Sequence, residues 1–208
     1  MASKDMESQI REWLTSEGLE IKPREDPRAD FHFLVRYPPT KHGHVFNILS
    51  PKNRNLIVVS SVTQVDAGQQ DEMKKHADTD GEGWEEWLHE TRLNLTRVNV
   101  DWVLHVGHGK EKPGPLQAFN LSMPIWYDGV TQNEIMQTLR RLWLSKLSLI
   151  HEIKFSYGPG VGRPGPVDDW AKDGGPPKGD GKSPTSASEV ETDETGGFGT
   201  GFDPSEWV

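Results

Sequence analysis

Three runs of strand-forming residues follow one another in the first third of the chain, and short turns separate them. Apolar and polar side chains alternate through the first run, Phe31 to Tyr37, as in a strand with one buried face. The second run extends from Val45 to Leu49 and the third from Leu56 to Val62. Connections this short can only join antiparallel neighbours, because a parallel crossover needs roughly a dozen residues. The sequence therefore predicts an antiparallel meander.

Helical patterns stand at both ends of the predicted domain. The first helix is expected from about Ser3 to Glu17, with Gly18 as a natural stop. The last is expected from Thr131 to about residue 155, and Thr131 with Glu134 forms a T-x-x-E capping box. Its apolar stripe is wider than one sheet face needs, so a second contact is expected, with either the first helix or a second copy of the chain. The residues predicted to form this dimer or groove contact are Leu139, Leu142, Trp143 and Leu147.

Between the meander and the last helix, the sequence predicts a helix and a hairpin. The helix opens near Asp66, is interrupted at residues 78–81, and continues through Trp84. Alternating apolar residues from Val98 to Val106 predict a strand, and Leu116 to Trp126 forms the returning arm. The element order is therefore α-β-β-β-α-β-β-α, which is typical of an α+β fold with helices on an antiparallel sheet.

Five parts of the predicted domain carry a resemblance to a known fold. They are the first helix with Ile10 and Trp13, the meander from Phe31 to Val62, the helix from Trp84 to Leu95, the hairpin with Trp102 and Phe119, and the last helix from Thr131. Over residues 3–156 the chain resembles type III secretion chaperones and their cytosolic relatives, and in particular an uncharacterised, mostly archaeal family near that fold. The resemblance implies a small, often dimeric, non-catalytic module that holds partner polypeptides.

Composition divides the chain into a domain, residues 1–156, and a flexible tail, residues 157–208. The tail holds 12 of the 21 glycines and 7 of the 15 prolines, with ten acidic and four basic residues. It therefore accounts for most of the net charge of −9 and for the low hydrophobic content of 33%. Such a segment cannot bury enough apolar surface to form a core of its own.

The tail ends in bulky aromatic side chains, which a plain solubilising linker rarely carries. A few large apolar groups on a mobile backbone suit recognition of a partner, although the same groups could also fold back onto the domain. The residues predicted to bind a partner are Trp170, Phe198, Phe202, Asp203, Trp207 and Val208.

Several kinds of chemistry are disfavoured by the sequence. The chain has no cysteine, which excludes disulfides, thiolate catalysis and cysteine-ligated metals. Residues 160–165 match G-x-G-x-x-G, but they follow a helix instead of a strand and are not expected to bind a nucleotide. His89-Glu90 and His151-Glu152 begin like a zinc-binding H-E-x-x-H motif and lack its second histidine. No catalytic residue, metal site or cofactor is predicted.

The sequence thus predicts a non-enzymatic, chaperone-like adaptor whose partner is another protein. The N-terminus lacks a signal-peptide pattern and no apolar stretch could cross a membrane, so the protein is expected in the cytoplasm. Its acidic composition argues against binding to nucleic acid. Two alternatives stay open: an accessory factor in nucleic-acid processing, and a metal-dependent hydrolase that uses His42, His44, His105 or His108.

Overall fold

The computed structural model describes residues 3–41, 43–109 and 113–168, and these residues form an α+β fold with four α-helices and one six-stranded antiparallel sheet. The elements are α1 (Ser3–Ser16), β1 (Ile21–Pro23), β2 (Ala29–Tyr37), β3 (His44–Pro51), β4 (Leu56–Gln64), α2 (Ala67–Thr79), α3 (Gly81–Arg97), β5 (Asp101–Val106), β6 (Leu116–Trp126), a short 3-10 turn (Tyr127–Gly129) and α4 (Gln132–Tyr157). The strand order is β1-β2-β3-β4-β6-β5. Two compact units share these elements: unit 1 comprises the described residues of 1–61 and 121–146, and unit 2 those of 62–120 and 147–208.

Unit 1 contains the predicted meander. Strands β2 and β3 pair with Phe33 opposite Ile48 and Val35 opposite Phe46, and all four side chains are buried. The alternating apolar residues of β2 therefore point into a core, as the sequence predicts. The stripe of α1 is buried in the same unit through Met6, Ile10 and Leu14.

The predicted order lacks one strand and one helix that the structure contains. The extra strand, β1, lies at the edge of the sheet and pairs Ile21 with Val35. Leu19 and Ile21 leave a short strand open at this place in the sequence, but three residues are too few to show a period, and the predicted order does not include it. The predicted interruption at residues 78–81 is present, but it separates two distinct helices because Asp80 caps α3 by accepting a hydrogen bond from the Gly83 amide (3.1 Å).

Strand β5 begins later than the alternation of apolar residues predicts. The prediction placed Val98 and Val100 in this strand, whereas α3 continues to Arg97 and Val98 is its C-cap residue. The chain then turns at Asn99, whose φ of 57° lies in the left-handed region. Val98 is 44% exposed. The turn that ends α3 therefore interrupts what reads as one continuous strand.

In unit 2, an aromatic cluster holds α2, α3 and the end of α4 together. Trp84 is fully buried and stacks on Trp87, with ring centroids 5.3 Å apart. Tyr157 lies edge-on to both tryptophans, and its hydroxyl is 3.0 Å from His76 Nδ1. Burial, followed by the charge of Glu152, raises the pKa of the Tyr157 hydroxyl. The phenol is therefore neutral and can donate a hydrogen bond.

The start of α4 is tied to the end of α1 within unit 1. Gln132 Nε2 donates to Glu17 Oε1 at 2.6 Å and to Ser16 Oγ at 3.3 Å. The second contact expected for α4 is therefore made within the chain, at least at this end of the helix. The dimer stays a prediction.

The predicted N-cap of α4 is present, because Thr131 Oγ1 accepts a hydrogen bond from the Glu134 amide at 3.1 Å. Thr131→Ala is expected to lower the free energy of unfolding by about 1 kcal/mol, since that amide loses its partner. Thr131→Ser keeps the hydroxyl and is the matched control. Urea unfolding measures both variants, and equal stability of the alanine and serine variants would contradict this role for the cap.

Candidate binding cleft

An open cleft of about 430 Å³ lies in unit 1 beside the edge of the sheet. It is lined by Glu7 of α1 and by most of the residues from Pro23, the last of β1, to Phe33 in β2. This stretch includes the connection between the two strands. Two prolines, Pro23 and Pro27, restrict this connection, because a proline ring limits rotation of its backbone. The cleft is therefore formed by this restrained connection and the start of β2, where the register with β3 shifts between Ala29 and Phe31.

The floor of the cleft is aromatic and its rim is acidic. The rings of Phe31 and Phe33 stack with centroids 5.2 Å apart. The Arg11 guanidinium lies 4.7 Å from the centroid of Phe33, within the range of a cation–π contact. Four carboxylates and one guanidinium line the cleft, from Glu7, Glu25, Asp26, Asp30 and Arg24. Such a site suits a group that has an apolar stem and a positive end.

His32 is buried in the wall of the cleft, and its surroundings define its protonation. Burial is the main cause that lowers the pKa of its imidazole, so the ring is neutral at pH 7. His32 Nε2 lies 2.8 Å from Asn47 Oδ1, and an amide oxygen can only accept a hydrogen bond. With Asn47 in this orientation, Nε2 carries the hydrogen and Nδ1 is left with a lone pair.

Asp26 places a carboxylate next to that lone pair. Its Oδ1 accepts hydrogen bonds from the Arg28 amide (2.9 Å) and from Arg28 Nε (3.3 Å). The backbone hydrogen bond from Arg28 is the main cause that lowers the pKa of Asp26, so the carboxylate is ionised at pH 7. The other oxygen, Oδ2, lies 3.8 Å from His32 Nδ1. Two acceptors therefore face each other inside an acidic cleft.

Asp26 and His32 are not among the site residues predicted from the sequence. His32 stands at a polar position of the alternating run, where an exposed side chain is expected, yet it is only 7% exposed. The sequence does contain one sign that His32 is buried. Leu34 lies two residues further along β2, on the same face as His32, and an apolar residue there indicates that this face is also covered.

A second polar contact in unit 1 brings together a serine and a lysine. Lys146 Nζ donates to Ser61 Oγ at 3.2 Å, and that hydroxyl donates to the Val45 carbonyl at 3.0 Å. Serine–lysine pairs can supply a nucleophile and its base. A nucleophile must reach its substrate, however, and both residues are only 1% exposed. The pair therefore fits a structural role inside unit 1.

In unit 2, residues 158–168, called the strap below, lie against the start of α2. Asp66 is the N-cap of α2 and accepts a hydrogen bond from the Gly68 amide (2.8 Å). The same carboxylate accepts from the amides of Val161 (2.8 Å) and Arg163 (2.9 Å) in the strap. Gln69 Nε2 adds a hydrogen bond to the Gly158 carbonyl at 2.7 Å. Thus the strap, which belongs to the segment predicted to be the tail, is bound to the folded chain.

The strap also explains the G-x-G-x-x-G match. Gly160 and Gly162 have φ values of 82° and 78°, which a residue with a Cβ rarely adopts. This backbone points the amides of Val161 and Arg163 at one anion, as phosphate-binding loops do with their amides. In this protein the anion is the chain's own Asp66 carboxylate, and a Cβ on Gly160 would lie 2.5 Å from it. The motif therefore binds an internal carboxylate.

The predicted partner-binding residues of the tail, Trp170, Phe198, Phe202, Asp203, Trp207 and Val208, lie outside the described residues. Of the predicted interface residues on α4, Leu139 and Leu142 are fully buried within the chain, whereas Trp143 and Leu147 are half-buried. The Trp143 ring lies edge-on to Tyr37, with centroids 6.0 Å apart. Leu144, which was not among the predicted interface residues, is 46% exposed.

The hydrolase alternative depends on four histidines. His42 lies outside the described residues, His105 is in β5 and His108 follows that strand. His44 is half-buried, and burial followed by the charges of Lys146 and Arg36 lowers its pKa to about 2. Within residues 3–41, 43–109 and 113–168, no group of three or more histidine or acidic side chains could hold a metal ion.

Comparisons with known proteins show a family and a similar crystal structure. A family model described as "Uncharacterized conserved protein (DUF2299)" matches residues 6–153. No curated protein matches the chain. A crystal structure of an uncharacterized protein from Methanothermobacter thermautotrophicus is similar at 25% identity and a TM-score of 0.63, covering 73% of this chain and 99% of that one. Among the helices of the described residues, none is long and apolar enough to cross a membrane.

Proposed function

Because the chain belongs to the DUF2299 family of uncharacterized conserved proteins, we propose a function from its own geometry: it is a non-enzymatic adaptor that holds a polypeptide segment of a partner in the cleft of unit 1. The observation that carries this proposal is the cleft itself. It combines an aromatic floor, a polar rim and an open side, as sites that recognise other molecules do.

The position of the cleft also supports a polypeptide ligand. The cleft is lined by Pro23, the last residue of the edge strand β1, and by the connection that follows it. An extended peptide can add to the edge of a sheet through its backbone while its side chains enter neighbouring pockets. The resemblance to type III secretion chaperones, which hold partner polypeptides, is consistent with this mode of binding.

The tail would act together with the cleft. Its aromatic residues Phe198, Phe202 and Trp207 suit either recruitment of a second partner or a return onto the domain. An adaptor of this design has two recognition elements in one chain, of which the cleft is the one described structurally.

A blocked cleft provides the test of this proposal. Peptides are selected from a random display library on the full-length protein, and their dissociation constants are measured for purified variants. Glu25→Trp is expected to weaken the selected peptides at least tenfold, because an indole at the exposed rim occupies space that the peptide needs.

The matched control is Glu12→Trp, which makes the same change of charge and bulk at an exposed site of α1 outside the cleft. It is expected to change affinity less than twofold. Failure to select any binding peptide, or an equal loss for both variants, would show that the cleft is not a peptide-binding site.

A further inference from the structure

We propose that the cleft binds a lysine or arginine side chain of the partner polypeptide, with Asp26 Oδ2 and His32 Nδ1 accepting hydrogen bonds from its charged end. This inference rests on the proposed function, since the same cleft holds the polypeptide. It adds the chemistry of the residue that is recognised.

Two hydrogen-bond acceptors lie close together in the cleft, on His32 and Asp26. The His32 side chain is 6% exposed, and its buried Nδ1 has no hydrogen-bond partner among the described residues. A buried acceptor without a partner is unfavourable, and a second acceptor only 3.8 Å away adds repulsion. An N–H group that enters from the cleft and donates to both atoms would remove both penalties. The missing group is therefore a donor.

The charge around the cleft favours a cation, since four carboxylates and one guanidinium line it. Arg28 donates its two hydrogen bonds to Oδ1 of Asp26, so Oδ2 can still accept a hydrogen bond from a ligand. Glu25 and Asp30 are exposed on the same rim and attract a cation before contact. A neutral donor such as a hydroxyl would not use this field. The donor that matches the site is therefore an ammonium or guanidinium group.

The aromatic floor of the cleft suits the apolar part of a basic side chain. Long basic side chains carry an apolar stem below the charge, and aromatic rings accept both the stem and the cation. The Arg11 guanidinium already covers the Phe33 ring, which is 1% exposed, so Phe31 is the ring of the floor that is left to contact a ligand. The chain's own tail is a poor occupant, because residues 157–208 contain ten acidic and only four basic residues. A basic segment of another polypeptide fits the charge of the cleft.

The geometry also predicts that binding depends on pH. The charged groups that act on His32 are Arg24, Asp26 and Arg28, and Asn47 occupies its other nitrogen. When His32 gains a proton, Nδ1 becomes a donor directed at Asp26 Oδ2 and the site acquires a positive charge. Both changes oppose a cationic ligand. Affinity is therefore highest where His32 is neutral and falls as the pH decreases through its pKa.

The main experiment measures the peptides selected on the full-length protein, with each basic residue replaced in turn by norleucine. One such replacement is expected to weaken binding of the peptide to the native protein at least tenfold. The same replacement should weaken its binding to the Asp26→Asn variant less than twofold. Asp26→Asn keeps an oxygen for the Arg28 amide, whereas Asp30→Asn removes an equal charge from the rim and should retain the preference. Equal binding of basic and norleucine peptides to the native protein would overturn the inference and leave the proposed function intact.

Two further measurements separate the remaining outcomes. Lowering the pH from 7.5 through the pKa of His32, read from the NMR signals of its imidazole, should weaken basic peptides more on the native protein than on His32→Gln. The glutamine keeps a donor to Asn47 but cannot titrate, and equal losses would overturn the role of His32. NMR titration with N-acetyl-arginine amide should shift the His32 imidazole signals, whereas N-acetyl-norleucine amide should not. If the arginine compound shifts no signal, the cation site is disproved even where peptides bind. If spermidine bound and no basic peptide did, the cation in the cleft would not come from a polypeptide, and the inference would be overturned.

Discussion

Replacing Asp66 with alanine is expected to lower the free energy of unfolding by about 3–5 kcal/mol, because three backbone amides lose their acceptor at once. These amides belong to Gly68 in α2 and to Val161 and Arg163 in the strap. The carboxylate is only 5% exposed, so water cannot fully replace it. The loss should release the strap as well as weaken the start of α2.

The structure offers a matched control in the next helix. Asp80 is also an N-cap aspartate, but it is exposed and accepts one amide hydrogen bond, from Gly83. Asp80→Ala should therefore cost only about 1 kcal/mol. Urea unfolding gives both values, and faster amide exchange at Val161 and Arg163 in the Asp66 variant reports release of the strap. If the two alanine variants were equally stable, the strap would contribute nothing through Asp66.

A second variant tests the strap from its own side. Gly160→Ala adds a Cβ that would lie 2.5 Å from the Asp66 carboxylate, at a backbone φ of 82° that favours glycine. It should destabilise the protein and increase amide exchange at the same residues as Asp66→Ala. Gly129→Ala is the control, since a Cβ at that glycine meets no atom within 4 Å.

Acidification is expected to destabilise the protein through His44 by about 2 kcal/mol between pH 6.5 and pH 5. The folded state holds this imidazole neutral, with its pKa lowered from 6.5 to about 2. In the unfolded chain the same group gains a proton below pH 6.5. The unfolded state therefore binds more protons throughout this interval, and stability decreases as the pH falls.

The comparison of native protein with His44→Gln isolates this contribution. Glutamine cannot titrate, so the fall in unfolding free energy from pH 6.5 to pH 5 should be smaller by about 2 kcal/mol in the variant. His89→Gln, at an exposed position of α3, should leave the dependence unchanged. Identical pH dependence of the native protein and His44→Gln would mean that the folded state protonates His44 readily.

Local patterns predicted much of the backbone. The meander, the cap of α4 at Thr131 and the interruption between α2 and α3 all follow from residues that are close together in the chain. Period, turn length and capping act over a few residues, and therefore a sequence displays them directly. The three-residue strand β1 was the element too short to display any of these signals.

The candidate site depended on contacts that no local pattern contains. His32 meets Asn47 across a strand pair, 15 residues away, and its burial contradicts the alternation that predicts exposure. In the sequence Asp66 has the pattern of an ordinary helix cap. In the structure it also accepts hydrogen bonds from the amides of Val161 and Arg163, which are 95 and 97 residues further along the chain. The sequence by itself thus determined the α+β class, the meander and the helix caps. Only the tertiary structure decided which polar groups are buried together, because burial and pairing depend on distant segments of the chain.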